Sequence, residues 1–316
     1  MRSKYLLLSL FTLFLVLGST ISVSAEESDI VSDSTQQFNA IFTSEEYWTE
    51  ERMEDAIPVE NRIDYSSKDK TSKSKEVKFD EKFNVEPALP ESNKLNVTPN
   101  AVVPSSTGKL FFTDPNDGLD YVCSASSANN SNKNLVTTAG HCIHDGNGGN
   151  FYTNIIFVPA YYEGSTPYGM WDVHWKVTFK GWTESGNYDY DQAFLTVFPE
   201  NGRNLVNVVG GNGLSFNYGQ AQKDVRITGY PAQDPYPGDI PYSCYGDTKK
   251  ASGNDAKMSC GFTGGASGGA WFRTMSSDNV GHIFAVTSRR SVPRGTLYAR
   301  PFTSDYRNLY DSMENK

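Results

Sequence analysis

The chain has 316 residues, 38% of them hydrophobic and 21% charged, with a formal net charge of −9 at pH 7. No basic patch suggests a nucleic-acid partner, and no apolar run approaches eighteen residues, which argues against a membrane span. The charge is uneven: residues 26–100 hold 9 basic against 18 acidic residues, whereas residues 101–316 are nearly balanced at −2, so the acidity says little about what the second region binds.

The first predicted element is a leader. Arg2 and Lys4 precede an apolar run over 5–17, and Ser22-Val23-Ser24-Ala25 offers a small-residue cleavage point. This is the pattern of a secretory signal peptide over 1–25, so the mature protein is expected to be extracellular, with no membrane anchor after cleavage. Residues 26–100 read as an acidic pro-segment. Stretches such as Ser66 to Glu76 carry too few apolar residues to offset chain entropy. The composition changes at Pro99-Asn100-Ala101-Val102-Val103, which places the boundary at about 100–102 and one folded region at 101–316.

Within that region short apolar or alternating runs recur, at Leu110-Phe111-Phe112 and at residues 135–138, 155–158, 173–179, 193–198, 225–228 and 283–287. Turn chemistry separates them, as in Asp145-Gly146-Asn147-Gly148 and Asp234-Pro235-Tyr236-Pro237-Gly238. Many short strands so punctuated indicate an all-β sandwich or barrel pair. One helix is expected, at the C-terminus, capped by Ser304, with Tyr306, Leu309, Tyr310 and Met313 on one face. Four cysteines in an exported chain favour disulfides over metal ligation. Of the three pairings, proximity favours Cys123–Cys142 and Cys244–Cys260, each closing a loop worth about 3 kcal/mol.

Residues 264–269 read Gly-Gly-Ala-Ser-Gly-Gly, a serine bracketed by small residues that would let a carbonyl approach and leave backbone N–H groups for an oxyanion. A serine hydroxyl needs a general base oriented by a third group. The chain has four histidines, and His141 stands in Thr138-Ala139-Gly140-His141-Cys142, where a disulfide would fix its backbone. Asp191, at the head of an apolar strand, is preferred to Asp189 as the buried carboxylate. The serine segment also fits the nucleophile elbow of α/β-hydrolases, but that fold orders its residues Ser, acid, His and needs alternating helices. Only His282 follows Ser267, so the order His141, Asp191, Ser267 favours a double β-barrel instead.

These three motifs, with Asp191-Gln192-Ala193-Phe194-Leu195 as the second, resemble those of chymotrypsin-fold serine proteases. Thr263-Gly264-Gly265-Ala266-Ser267-Gly268 is similar to the bacterial V8-like branch, which includes the glutamyl endopeptidases. The resemblance implies two packed six-stranded antiparallel barrels with the site between them. It also implies His141 as base, Asp191 as its orienter, Ser267 as nucleophile, an oxyanion hole of the Gly265 and Ser267 N–H groups, and an inactive precursor. No metal or organic cofactor is expected. The expected partners are protein or peptide substrates and the chain's own pro-segment, and the expected state is a monomer.

Substrate preference departs from that pattern. The resemblance puts the substrate pocket at Gly261, Phe262, Thr263, Thr287, Ser288 and Arg289, and Thr287 stands where glutamyl members place a histidine. Gly261 offers no aspartate for a basic side chain. Arg289 and Arg290 read first as a solvent-facing pair at a strand end, with receipt of an acidic side chain as the alternative. Phe262 and Phe284 would suit an apolar one. A rival from another class is a catalytically silent binding protein of the same fold, although all three triad residue types are present.

Overall fold

The structure, a computed structural model, describes residues 29–35, 44–60, 62–64, 79–91 and 103–316. The expected leader over 1–25, the polar stretch at 66–76 and the boundary at 100–102 lie outside the described residues.

The N-terminal region contributes four short strands, β1 (Ile30–Ser34), β2 (Ile57–Pro58), β3 (Arg62–Asp64) and β4 (Phe83–Val85). It also contributes two short helices, α1 (Ser44–Tyr47) and α2 (Glu50–Asp55). Thr49 caps α2 by accepting the Arg52 N–H at 3.3 Å. This region packs on the rest of the molecule despite its acidity, because a few apolar residues stand at its contact points: Trp48, Met53 and Ala56 are buried against Phe111, Ile156, Val158 and Tyr230.

Six strands build the first barrel: β5 (Thr107–Thr113), β6 (Asp120–Ala128), β7 (Leu135–Thr138), β8 (Thr153–Pro159), β9 (Trp171–Phe179) and β10 (Ala193–Val197). They pair antiparallel in the order β9-β10-β7-β6-β5-β8, and β8 returns to β9, so the barrel closes. Alternation along a strand sends Leu110, Phe112, Ile155 and Phe157 into the barrel interior. It sends Phe111, Ile156 and Val158 outward, under the N-terminal cover. The short helices α3 (Lys180–Ser185) and α4 (Leu205–Val209) follow β9 and β10.

The remaining strands are β11 (Gly213–Phe216), β12 (Val225–Gly229), β13 (Tyr242–Gly246), β14 (Lys249–Lys250), β15 (Ala256–Cys260), β16 (Ala270–Met275), β17 (Gly281–Val292) and β18 (Gly295–Pro301). Six of them run β13-β12-β16-β17-β18-β15, the second barrel. No ladder joins its end strands β13 and β15 among the described pairings; the Cys244–Cys260 disulfide spans that seam instead. Two six-strand units were expected, and the second proves to be open and stapled rather than closed by hydrogen bonds.

A shared core joins the barrels: Leu135, Val177 and Phe194 from the first meet Phe216, Phe272 and Ile283 from the second. Helix α5 (Ser304–Met313) covers this junction with the four residues expected on its buried face, Tyr306, Leu309, Tyr310 and Met313. Its cap differs from expectation. Thr303 occupies the N-cap position and Ser304 begins the helix, donating its hydroxyl to Asp80 at 2.7 Å. Nor is it the sole helix, since α1 to α4 are also present, each too short to give a readable period. No helix among the described residues is long and apolar enough to cross a membrane.

Candidate active site

His141 lies in a one-turn 3-10 helix, Gly140–Cys142, that leaves β7, and Cys142 is tied by its disulfide to Cys123 on β6. Asp191 heads β10 and is fully buried. Its carboxylate accepts the His141 Nδ1–H at 2.8 Å, the His141 backbone N–H at 2.8 Å and the Ser288 hydroxyl at 2.5 Å. Burial pushes the Asp191 carboxyl up, but the His141 charge and these hydrogen bonds outweigh it and hold it below the ordinary carboxylate value. The other imidazole nitrogen, Nε2, is buried with no hydrogen-bond partner among the described residues. Asp189, the alternative considered from sequence, is half-buried and accepts from the Asn254 amide at 3.1 Å.

Ser267 sits in the loop between β15 and β16, and its carbonyl accepts the Ser124 N–H at 2.7 Å, next to Cys123. Two glycines permit that loop. Gly265 has φ +88°, and a Cβ there would stand 2.7 Å from the Tyr230 carbonyl oxygen. Gly268 has φ +79°, and a Cβ would meet Thr138 Oγ1 at 2.1 Å and the Ser124 carbonyl at 2.3 Å. Since Thr138 opens the motif that carries His141, the serine loop and the histidine turn are in contact through a position only glycine can fill.

Thr263, Thr287 and Arg289, three of the expected pocket residues, line a cavity beside Ser267, together with Gly264, Arg290, Leu297 and the N-terminal region's Glu60. Gly261, Phe262 and Ser288 are not in that lining. Phe262 is buried edge-on against Tyr236 at 5.8 Å in the second barrel's core, and Ser288 serves Asp191. The Thr287 hydroxyl is engaged by Trp271 Nε1–H at 2.9 Å.

The expectation of a solvent-facing arginine pair is overturned. Arg289 is buried, pairs with Asp255 and lies 4.4 Å over the Tyr188 ring. Burial raises the Asp255 carboxyl, with the Arg289 charge opposing it. Arg290 is mostly covered, and its guanidinium holds the carboxylate of Glu60, donating from Nε at 2.7 Å. The strand end turns inward because two carboxylates, 34 and 230 residues away in sequence, stand there to receive it. Neither partner carries a local sequence signal.

The one grouping of metal-ligand residue types among the described residues is Cys123, His141 and Cys142. Its two sulfurs are bonded to each other and the His141 Nδ1–H faces Asp191, so it has no thiolate to offer a cation.

Two antiparallel six-strand units with a histidine–aspartate pair on one and a glycine-bracketed serine on the other define a two-barrel protease fold. The chain belongs to the chymotrypsin-fold serine proteases. It is similar to protease Anisep from Arthrobacter nicotinovorans, 35% identical over 68% of this chain and 98% of that one, with a TM-score of 0.63. It is similar too to thermostable serine protease AL20 from an extremophilic microorganism, 30% identical over 68% of this chain and all of that one, TM-score 0.64. A Glu endopeptidase shares the fold at 15% identity and TM-score 0.55. Among curated proteins, an extracellular metalloprotease of Bacillus subtilis (strain 168) is 35% identical over 98 residues, and the match spans only 30% of that protein's length. No family model matches the sequence. The chain is thus a protease whose substrates are proteins or peptides.

Proposed function

We propose that the protein is a serine endopeptidase of the V8-like branch, exported as a precursor, with His141, Asp191 and Ser267 as its triad. The observation that carries this reading is the Asp191 carboxylate, which fixes the His141 ring through Nδ1 and leaves Nε2, without a hydrogen-bond partner among the described residues, as the nitrogen for a proton. Ser267 Oγ attacks the peptide carbonyl carbon as its proton passes to His141 Nε2. The Gly265 and Ser267 N–H groups hold the oxyanion. His141 then protonates the leaving nitrogen as the C–N bond breaks, and water, deprotonated by the same histidine, hydrolyses the acyl-enzyme. Asp191 holds the tautomer and stabilises the imidazolium throughout.

Residues 1–25 are read as the signal peptide, 26–100 as the pro-segment and 101–316 as the protease. Of the two specificities left open by sequence, an acidic P1 side chain is favoured by Arg290, whose guanidinium already holds a carboxylate at the wall of the Ser267 cavity. The apolar alternative loses support because Phe262 is committed to the core.

Replacing Ser267 by Ala should lower peptide hydrolysis by about a millionfold and abolish phosphonate labelling while leaving the circular dichroism unchanged. Cleavage at near wild-type rate would sink the assignment. A silent binding protein would fail to label even with Ser267 present.

A further inference from the structure

We propose that residues 57–60 and 62–64 form a built-in inhibitory strap that closes the cleft by threading it in the non-productive direction, an inference that rests on the serine-peptidase reading of the site. The strap is anchored upstream, where Trp48 is buried and donates its Nε1–H to the Asn154 carbonyl at 2.7 Å. From there β2 pairs parallel with β6, Pro58 opposite Val122.

Val59 then bridges the two barrels. Its N–H donates to the Val122 carbonyl at 3.1 Å, and its own carbonyl accepts the Gly265 N–H at 2.9 Å. That N–H is one of the two assigned to the oxyanion, so a substrate carbonyl cannot use it while Val59 is in place. Glu60 follows into the cavity beside Ser267 and is clamped by Arg290, with the Gln233 side-chain amide at 3.3 Å from its other oxygen. Beyond it β3 runs parallel to β17 from Arg290 to Val292.

The direction of this path decides its consequence. A carbonyl held at Gly265 is productive only if the peptide nitrogen after it is presented to His141, which must protonate that nitrogen as the bond breaks. In the strap the residues before Val59 lie on β6 of the barrel that carries His141. The residues after it lead away along β17 of the other barrel. The peptide nitrogen after Val59 is therefore turned away from the acid. The segment fills the oxyanion donor and the side-chain cavity without offering a cleavable bond, which is how a tethered segment can inhibit without being consumed.

The test uses the intact full-length chain, its integrity checked by mass, and measures the rate of phosphonate labelling at Ser267. Glu60→Ala should label about ten- to a hundredfold faster than the intact wild type, the range expected when a charge-assisted pair is lost. Equal labelling of the intact wild type and Glu60→Ala overturns the strap. A second measurement does not depend on catalysis: in full-length Ser267→Ala, amide hydrogen exchange over residues 263–267 should show a protected Gly265 N–H that Glu60→Gln deprotects. Unchanged exchange also overturns the strap. If no form of the protein labels at Ser267, the peptidase reading fails by itself, and the exchange experiment still reports on the strap contact.

Discussion

The two barrels share the chemistry unequally. The first is closed by hydrogen bonds between β8 and β9 and carries both His141 and Asp191. The second is open between β13 and β15, is held there by Cys244–Cys260, and carries Ser267 on a loop. The base and its orienter thus belong to one rigid body, and their hydrogen bond forms within it. The nucleophile's position depends on how two bodies dock, and polar links make that docking specific. Ser124 of the first barrel donates its N–H to the Ser267 carbonyl and its hydroxyl to the Gly265 carbonyl at 2.8 Å. Ser288 of the second reaches back to Asp191.

After loss of Ser267 itself, the largest expected effect comes from breaking the rigid half of this arrangement. Asp191→Asn preserves shape but presents the wrong hydrogen-bonding pattern to Nδ1, so kcat should fall about ten-thousandfold with phosphonate labelling slowed in parallel. A loss of less than about tenfold would show that His141 does not depend on this carboxylate.

The disulfides give the next contrast. Removing either pair, as Cys123→Ala with Cys142→Ala or Cys244→Ala with Cys260→Ala, should cost about 3 kcal/mol in urea unfolding, since their loops are of similar length, 19 and 16 residues apart. Activity should separate them. The first pair holds the His141 turn against the strand that meets Ser267, so its loss should lower kcat. The second staples a seam, so its loss should leave kcat within a few-fold while raising hydrogen exchange along β13. Equal activity losses would mean that the open seam is coupled to the site.

The two loops that meet at the candidate site were legible because their signals are local. Thr138 to Cys142 and Thr263 to Gly269 are runs whose small residues follow from close backbone approach, and Gly268 against Thr138 is the contact that requires it. The strands expected at 135–138, 155–158, 193–198 and 225–228 appear within a residue or two, since each is a dense apolar run. β13, half-exposed and carrying no apolar alternation, gave no such signal. The covering role of the N-terminal region was missed because an averaged acidity hides Trp48 and Met53. A sharper signal lay in β5 and β8: Leu110-Phe111-Phe112 and Ile155 to Val158 are apolar on both faces, so something had to cover the outside of the barrel. The ion pairs of Arg289 and Arg290 were invisible for a different reason, since only folding brings Asp255 and Glu60 to them.

Ser288→Ala tests the docking link at a smaller scale. It removes one of three hydrogen bonds to Asp191 from across the barrel junction, a contribution of about 1.5–3 kcal/mol for a bond to a charged group. The kcat should fall about tenfold with KM nearly unchanged, and Ser288→Thr, which keeps the hydroxyl, should recover part of it. An unchanged kcat for Ser288→Ala would assign the orientation of Asp191 to the first barrel alone.

The smallest effect concerns pH, and its sign follows from Asp191. Its folded carboxyl titrates below the ordinary value of 3.8, so the folded state holds this proton more weakly than the unfolded chain does. The associated stability is fully present above about pH 5 and is lost as pH falls through the lower, folded value. Comparing urea midpoints of Ser267→Ala with those of Ser267→Ala/Asp191→Asn isolates the group, because neither protein digests itself. The difference between the two should be constant from about pH 5 to 7 and should shrink steadily below pH 4. Midpoints that run parallel down to pH 2 would mean that the carboxylate gains as little from His141 and Ser288 in the folded protein as it does in the unfolded one. The rigidity ascribed to the first barrel would then have to come from packing alone.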